Sequence, residues 1–170
     1  MHLDTASCQS PTAASASGPF RQALPEELVY SLTLPAAPRS PGVARAVTRT
    51  VLPAHGLAGA TDAVVQVVGE LTACACRFSA TDVYVSLRYR EGGLRVTVYD
   101  GHARHTNARL GAACDLRRRV SLRVLDRVVR ACHGEWGIGG DRESSTGTRM
   151  WAVLPHAGAS GYLPGDRTYE

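Results

Sequence analysis

The segment spanning residues 67–78, VVGELTACACRF, sets one carboxylate and two thiols close together at Glu70, Cys74 and Cys76. Two cysteines one residue apart suggest a metal, yet they sit inside an apolar run. The run is helical in period, however. At about 100° per residue Val64, Val67, Val68, Leu71, Ala75 and Phe78 fall within an arc of about 100° that forms a core face. Cys74 lies at one edge of that arc and Cys76 about 200° further round, so on a regular helix the thiols diverge and cannot share an ion. A metal held by Cys74 with Cys114, Cys132 or His133 stays open, but no second close pair has ligand spacing, and no metal ligand is assigned. Cys74 reads as a small buried side chain. Glu70 sits one turn before it on the same edge, near Arg77, either solvated and paired or aimed into a pocket.

Two other segments carry polar residues of interest. Asp100 and Gly101 close the alternating run LRVTVYDG, where they either turn the chain or point into a site. The run DLRRRVSLRVLDRVVR mixes arginines with Asp115 and Asp126, the pattern of a solvated helix face, with a phosphate-binding surface as the alternative.

These residues must be positioned by a chain of 170 residues, enough for one domain with a proper core. The net charge is +4, all its basic side chains are Arg, and acids and bases interleave, which argues against a dedicated nucleic-acid binder. No apolar run approaches the roughly 18–20 residues of a membrane span. The N-terminal residues lack the basic and apolar regions of a signal peptide. The five cysteines fit reduced thiols better than a disulfide framework. A soluble, cytoplasmic protein is expected.

Residues 1–26 and 156–170, rich in small and polar residues, are expected to be disordered tails around a domain at 27–155. Within it LVYSLTLP predicts a strand. RSPGVARAVTRTVLPAHG predicts a helix with Ser40 as cap, a Val43, Val47, Val51 stripe and a stop at Pro53. GATDAVVQVVGELTACACRF predicts a second helix. VYVSLRYRE and LRVTVYDG form a hairpin through a glycine turn. A loop over 101–115 precedes a third helix, with Leu122, Leu125, Val129 and Cys132 inward and Arg119, Arg123, Asp126 and Arg130 outward. WGIG and TRMWAVLP are final strands around the loop GDRESSTG. The order β-α-α-β-β-α-β-β predicts an α/β two-layer sandwich, its sheet mixed but largely antiparallel, with helices on one face.

Taken in order, ELTACA, VTVYDGH, RVSLRVLD and GTRMWAVLP resemble the nucleotide motifs of the GHKL (histidine-kinase-like ATPase) superfamily. The resemblance covers residues 28–155 and is nearest to the single-domain anti-sigma-factor serine/threonine kinases. It implies a Bergerat-type fold, ATP as cofactor with Mg²⁺, and Glu70 as general base. It puts Cys74 at the position of the Mg²⁺-ligating Asn. Asp100 would read the adenine amino group, with Gly101 leaving room for the base and Gly147 and Thr148 alongside. Arg119 and Ser121 stand in place of the two phosphate-loop glycines. A neutral thiol is a poor Mg²⁺ ligand, and side chains in place of glycines block close backbone approach to phosphates.

Three functions are therefore expected in order. The first is an anti-sigma-like regulator of transcription, its nucleotide site weakened or lost, that binds a sigma factor or an anti-anti-sigma protein. The second is an active ATP-dependent serine/threonine kinase acting on such an antagonist. The third is a binding module using the arginine face of the third helix. A homodimer is in keeping with the resemblance; membrane and nucleic acid are not expected partners.

Overall fold

The computed structural model describes residues 23–103, 105–139 and 147–164. Alternating apolar residues build five strands, β1 (Val29–Leu34), β2 (Val83–Arg90), β3 (Gly93–Asp100), β4 (Glu135–Ile138) and β5 (Thr148–Pro155). They form one open sheet in the order β1-β2-β3-β5-β4. All four pairings are antiparallel, so the mixed character expected from the sequence is not seen among the described residues. Five helices accompany the sheet: α1 (Ser40–Ala54), α2 (Thr61–Phe78), α3 (Ala108–Ser121), α4 (Arg123–Ala131) and α5 (His156–Ser160).

The core lies between α2, α4 and one face of the sheet. Val85, Leu87, Val96, Val98, Ala152 and Leu154 meet Val64, Val67, Leu71, Leu125 and Val129, all buried. α1 packs on α2, and burial on α2 spreads past the expected stripe to Val65, Thr72 and Cys74. The opposite face of the sheet carries Tyr84, Ser86, Arg88, Arg95, Thr97 and Tyr99 in a shallow groove, with Arg95 stacked over Trp151 at 5.7 Å. No helix among the described residues is long and apolar enough to cross a membrane.

The hairpin registers Arg90 opposite Gly93, leaving a two-residue turn of Glu91 and Gly92. Both have positive φ, 52° and 76°, the backbone of a type I′ turn whose twist matches the flanking strands. The glycine pair of the sequence is thus split: Gly92 turns and Gly93 starts β3.

Several local expectations are corrected. Ser40 does not cap α1; it occupies the first turn and its Oγ donates to the Pro35 carbonyl at 2.6 Å. The helix runs past Pro53 to Ala54, and its buried line is Ala44, Thr48, Val51 and Leu52, whereas Val43 is exposed. The long loop expected over 101–115 ends early, because Asn107 Oδ1 accepts from the amides of Arg109 and Leu110 and starts α3 there. The arginine-rich run is split at Leu122 into α3 and α4. Within it Leu122, Leu125, Val129 and Cys132 are buried and Arg119, Arg123 and Arg130 exposed, as their spacing predicts. Past Pro155, where the sequence pattern ends the domain, the chain continues into α5, with Ala159 buried and Tyr162 packed on the core. A short 3₁₀ turn, Pro25–Glu27, precedes β1, while residues 1–22, most of the GDRESSTG loop and 165–170 lie outside the described residues.

Candidate functional site

The C-terminal end of β3 delivers Asp100 to the edge of the core, and the last turns of α3 lie across it. Arg118 reaches down from α3 and takes the carboxylate in a fork. Its Nη1 donates to Oδ2 at 2.6 Å and its Nη2 to Oδ1 at 3.2 Å. Neither side chain is exposed at all. The guanidinium lies 4.1 Å from the centroid of the Phe78 ring and its Nη1 also approaches Met150 Sδ at 3.7 Å. Oδ1 accepts a further hydrogen bond from the amide of His102 at 3.0 Å.

A guanidinium buried between an aromatic face and a carboxylate is a strong local arrangement, since the fork matches carboxylate geometry and the ring attracts the cation. Burial works against the Arg118 charge, but the hydrogen bonds and charge of Asp100 outweigh it and hold the proton more tightly than usual. Arg118 Nε is left buried without a hydrogen-bond partner, so the pair is not fully compensated.

The other residues singled out in the sequence gather around this pair or turn away from it. Gly101 follows Asp100, and its amide donates to Ser79 Oγ at 3.2 Å. A Cβ there would lie 2.1 Å from Thr81 Oγ1, so packing against the chain itself explains the glycine. Gly147, at φ 133°, brings β5 over the Asp100 carbonyl, which a Cβ would meet at 2.4 Å. Thr148 is registered opposite Asp100 and its Oγ1 donates to the His102 carbonyl at 3.3 Å. Gly147 and Thr148 do therefore stand beside Asp100.

Cys74 is buried, and its Sγ lies 3.3 Å from Ser121 Oγ, which in turn donates to the Arg118 carbonyl at 2.8 Å. Burial pushes the Cys74 thiol up, against the Ser121 hydrogen bond and the Arg118 charge that favour thiolate. Arg119 leaves the site and stacks over Trp136 at 5.7 Å. Glu70 is half-buried; desolvation raises its pKa, opposed by the charges of Arg77 and Arg45. Cys76 belongs elsewhere, against the backbone of Ala37.

Both Asp100 oxygens are bonded to Arg118, the carboxylate has no exposed surface, and the Phe78 face is covered by the guanidinium. A scan against protein-family models finds no match for the chain, and a search of curated proteins finds none either.

Sequence reasoning missed Arg118 and a second cluster beside it. The segment after Asp100 places His102 Nε2 at 3.2 Å from His105 Nε2, and Cys114 Sγ of α3 at 3.4 Å from His102 Nε2. A cavity of about 400 Å³ opens next to them, lined also by Asp115, Ile138 and Thr148. For Arg118 the available signal was helical phase: once α3 starts at Asn107, Arg118 alone of its triplet faces inward.

Proposed function

We propose that the chain is an anti-sigma-factor-like regulatory protein, acting by protein–protein binding in transcription control on a GHKL-type, two-layer fold whose nucleotide site is closed. The observation that carries this reading is the Arg118 fork on Asp100, which occupies the one carboxylate that the resemblance makes the reader of adenine. The order of strands and helices is consistent with that fold. The kinase alternative is weaker, because phosphoryl transfer rests on positioning and charge neutralisation around bound nucleotide and Mg²⁺. In support, Cys74, at the position of the Mg²⁺ ligand, is hydrogen-bonded to Ser121, and Arg119, at one of the phosphate-loop positions, stacks on Trp136.

Binding to a protein is supported by the open face of the sheet. Tyr84, Tyr99, Trp151 and Arg95 are residue types that concentrate binding energy at protein interfaces. The test is retention on the immobilised chain of purified sigma factors and anti-anti-sigma proteins, with DNA as a parallel sample. Retention of a sigma factor at moderate salt, unchanged by ATP, is expected. Retention of DNA that disappears with rising salt, and of no such protein, would contradict the proposal and favour the exposed arginines of α3 and α4.

A further inference from the structure

The segment between β3 and α3 holds two imidazoles, and α3 turns a thiol toward them. Their three ligand atoms lie within 4.8 Å of one another. We propose that His102, His105 and Cys114 form a Zn²⁺ site with an open coordination position.

The spacing of the donors is that of a tetrahedral metal. Bonds of about 2.05 Å to nitrogen and about 2.3 Å to sulfur set tetrahedral edges of about 3.3 Å between nitrogens and about 3.6 Å between nitrogen and sulfur. The two measured edges, 3.2 Å for His102 Nε2 to His105 Nε2 and 3.4 Å for Cys114 Sγ to His102 Nε2, lie close to both values. Hydrogen bonding alone accounts for them poorly. A neutral imidazole carries one N–H, so His102 Nε2 can donate to His105 or to Cys114 but not to both. A cation at the centre uses all three lone pairs at once.

The donor set narrows the ion. Two imidazoles and a thiolate suit Zn²⁺, as they also suit copper, and exclude Mg²⁺ and Ca²⁺, which take oxygen ligands; the near-tetrahedral spacing favours Zn²⁺. Three protein ligands leave one position free, the ligand count of zinc sites that hold a water or substrate. The three residues border open space: they line both the cavity of about 400 Å³ and a second one of about 330 Å³ on the side of Phe78.

The backbone of His102 is held in place at the end of β3: its amide donates to Asp100 Oδ1 and its carbonyl accepts from Thr148 Oγ1. The ion would therefore tie α3 to the end of β3, one turn of α3 away from Arg118, and clamp the helix over Asp100.

The site is independent of the proposed function, and its test uses the untagged, reduced full chain with metal alone. Titration with Co²⁺ is expected to saturate at one ion per chain, with visible bands of tetrahedral intensity and a thiolate-to-cobalt charge-transfer band, and Zn²⁺ should displace it. Cys114→Ser should abolish the charge-transfer band and weaken binding on the order of 100-fold. His105→Ala, at an exposed position that does not threaten folding, should weaken it by a similar factor, while His133→Asn should leave binding unchanged. Absence of saturable binding, or a charge-transfer band that survives in Cys114→Ser, would overturn the proposal.

Discussion

Arg118 holds both carboxylate oxygens of Asp100, at 2.6 and 3.2 Å, in a place where neither side chain has any exposed surface. The pair joins the end of β3 to α3 and closes the position at which the GHKL resemblance puts the adenine reader. Its energetics follow from burial. Removing one partner strands the other charge in the core, which costs about 3–5 kcal/mol, whereas replacing both with apolar groups of similar volume is close to neutral. Asp100→Asn should therefore lower the unfolding free energy by that amount, read as a lower urea midpoint at unchanged slope, and Asp100→Leu combined with Arg118→Met should return most of it. A loss in the double variant equal to the sum of the losses in Asp100→Leu and Arg118→Met alone would show that the pair is not coupled.

Glu70 gives a prediction about pH. Burial raises its carboxyl pKa more than Arg77 and Arg45 lower it. A raised acid binds its proton more tightly in the folded state, so its contribution favours folding at low pH and is lost as pH rises from the unfolded pKa of about 4.3 through the folded one. Glu70→Gln should therefore raise the melting temperature at pH 7.5, with a smaller gain at pH 5. A lower melting temperature at pH 7.5 would mean that the arginines, not desolvation, dominate at this carboxylate.

The turn between β2 and β3 predicts a stabilising change. Glu91 adopts φ 52° in a position that asparagine tolerates and glutamate does not favour. Glu91→Asn should gain about 0.5–1 kcal/mol in chemical denaturation, and Gly92→Ala, at φ 76°, should lose about 1 kcal/mol.

Thiol reactivity separates the cysteines. Cys74 and Cys132 are buried with pKa values raised chiefly by desolvation, while Cys114 is half-exposed. Alkylation under native conditions, mapped by mass spectrometry, should mark Cys114 well before Cys74 and Cys132. Equal rates at all three would mean that α3 opens freely from the core.

The parts of this architecture that the sequence made legible are those written in period. The hairpin, α2 and the buried line of α4 are amphipathic and emerge from alternation or helical spacing. α3 does not, because its apolar residues form no inward stripe: Leu110, Leu116 and Val120 are exposed, and Arg118 is the residue it buries. Its start depends on one cap at Asn107, and without that phase Arg117, Arg118 and Arg119 are indistinguishable. The Asp100 pairing crosses a span with no spacing rule, and His102, His105 and Cys114 meet only because the segment after β3 folds back along α3. Conversely, the adjacency of Cys74 and Cys76, the most eye-catching feature of the chain, places one thiol against Ser121 and the other against Ala37.

The proposed loss of nucleotide binding is tested most directly by calorimetric titration of the unmodified chain with ATP and Mg²⁺. With Arg118 on Asp100, no saturable heat of binding is expected with or without Mg²⁺. Micromolar, Mg²⁺-dependent binding of ATP at one site per chain would contradict the account.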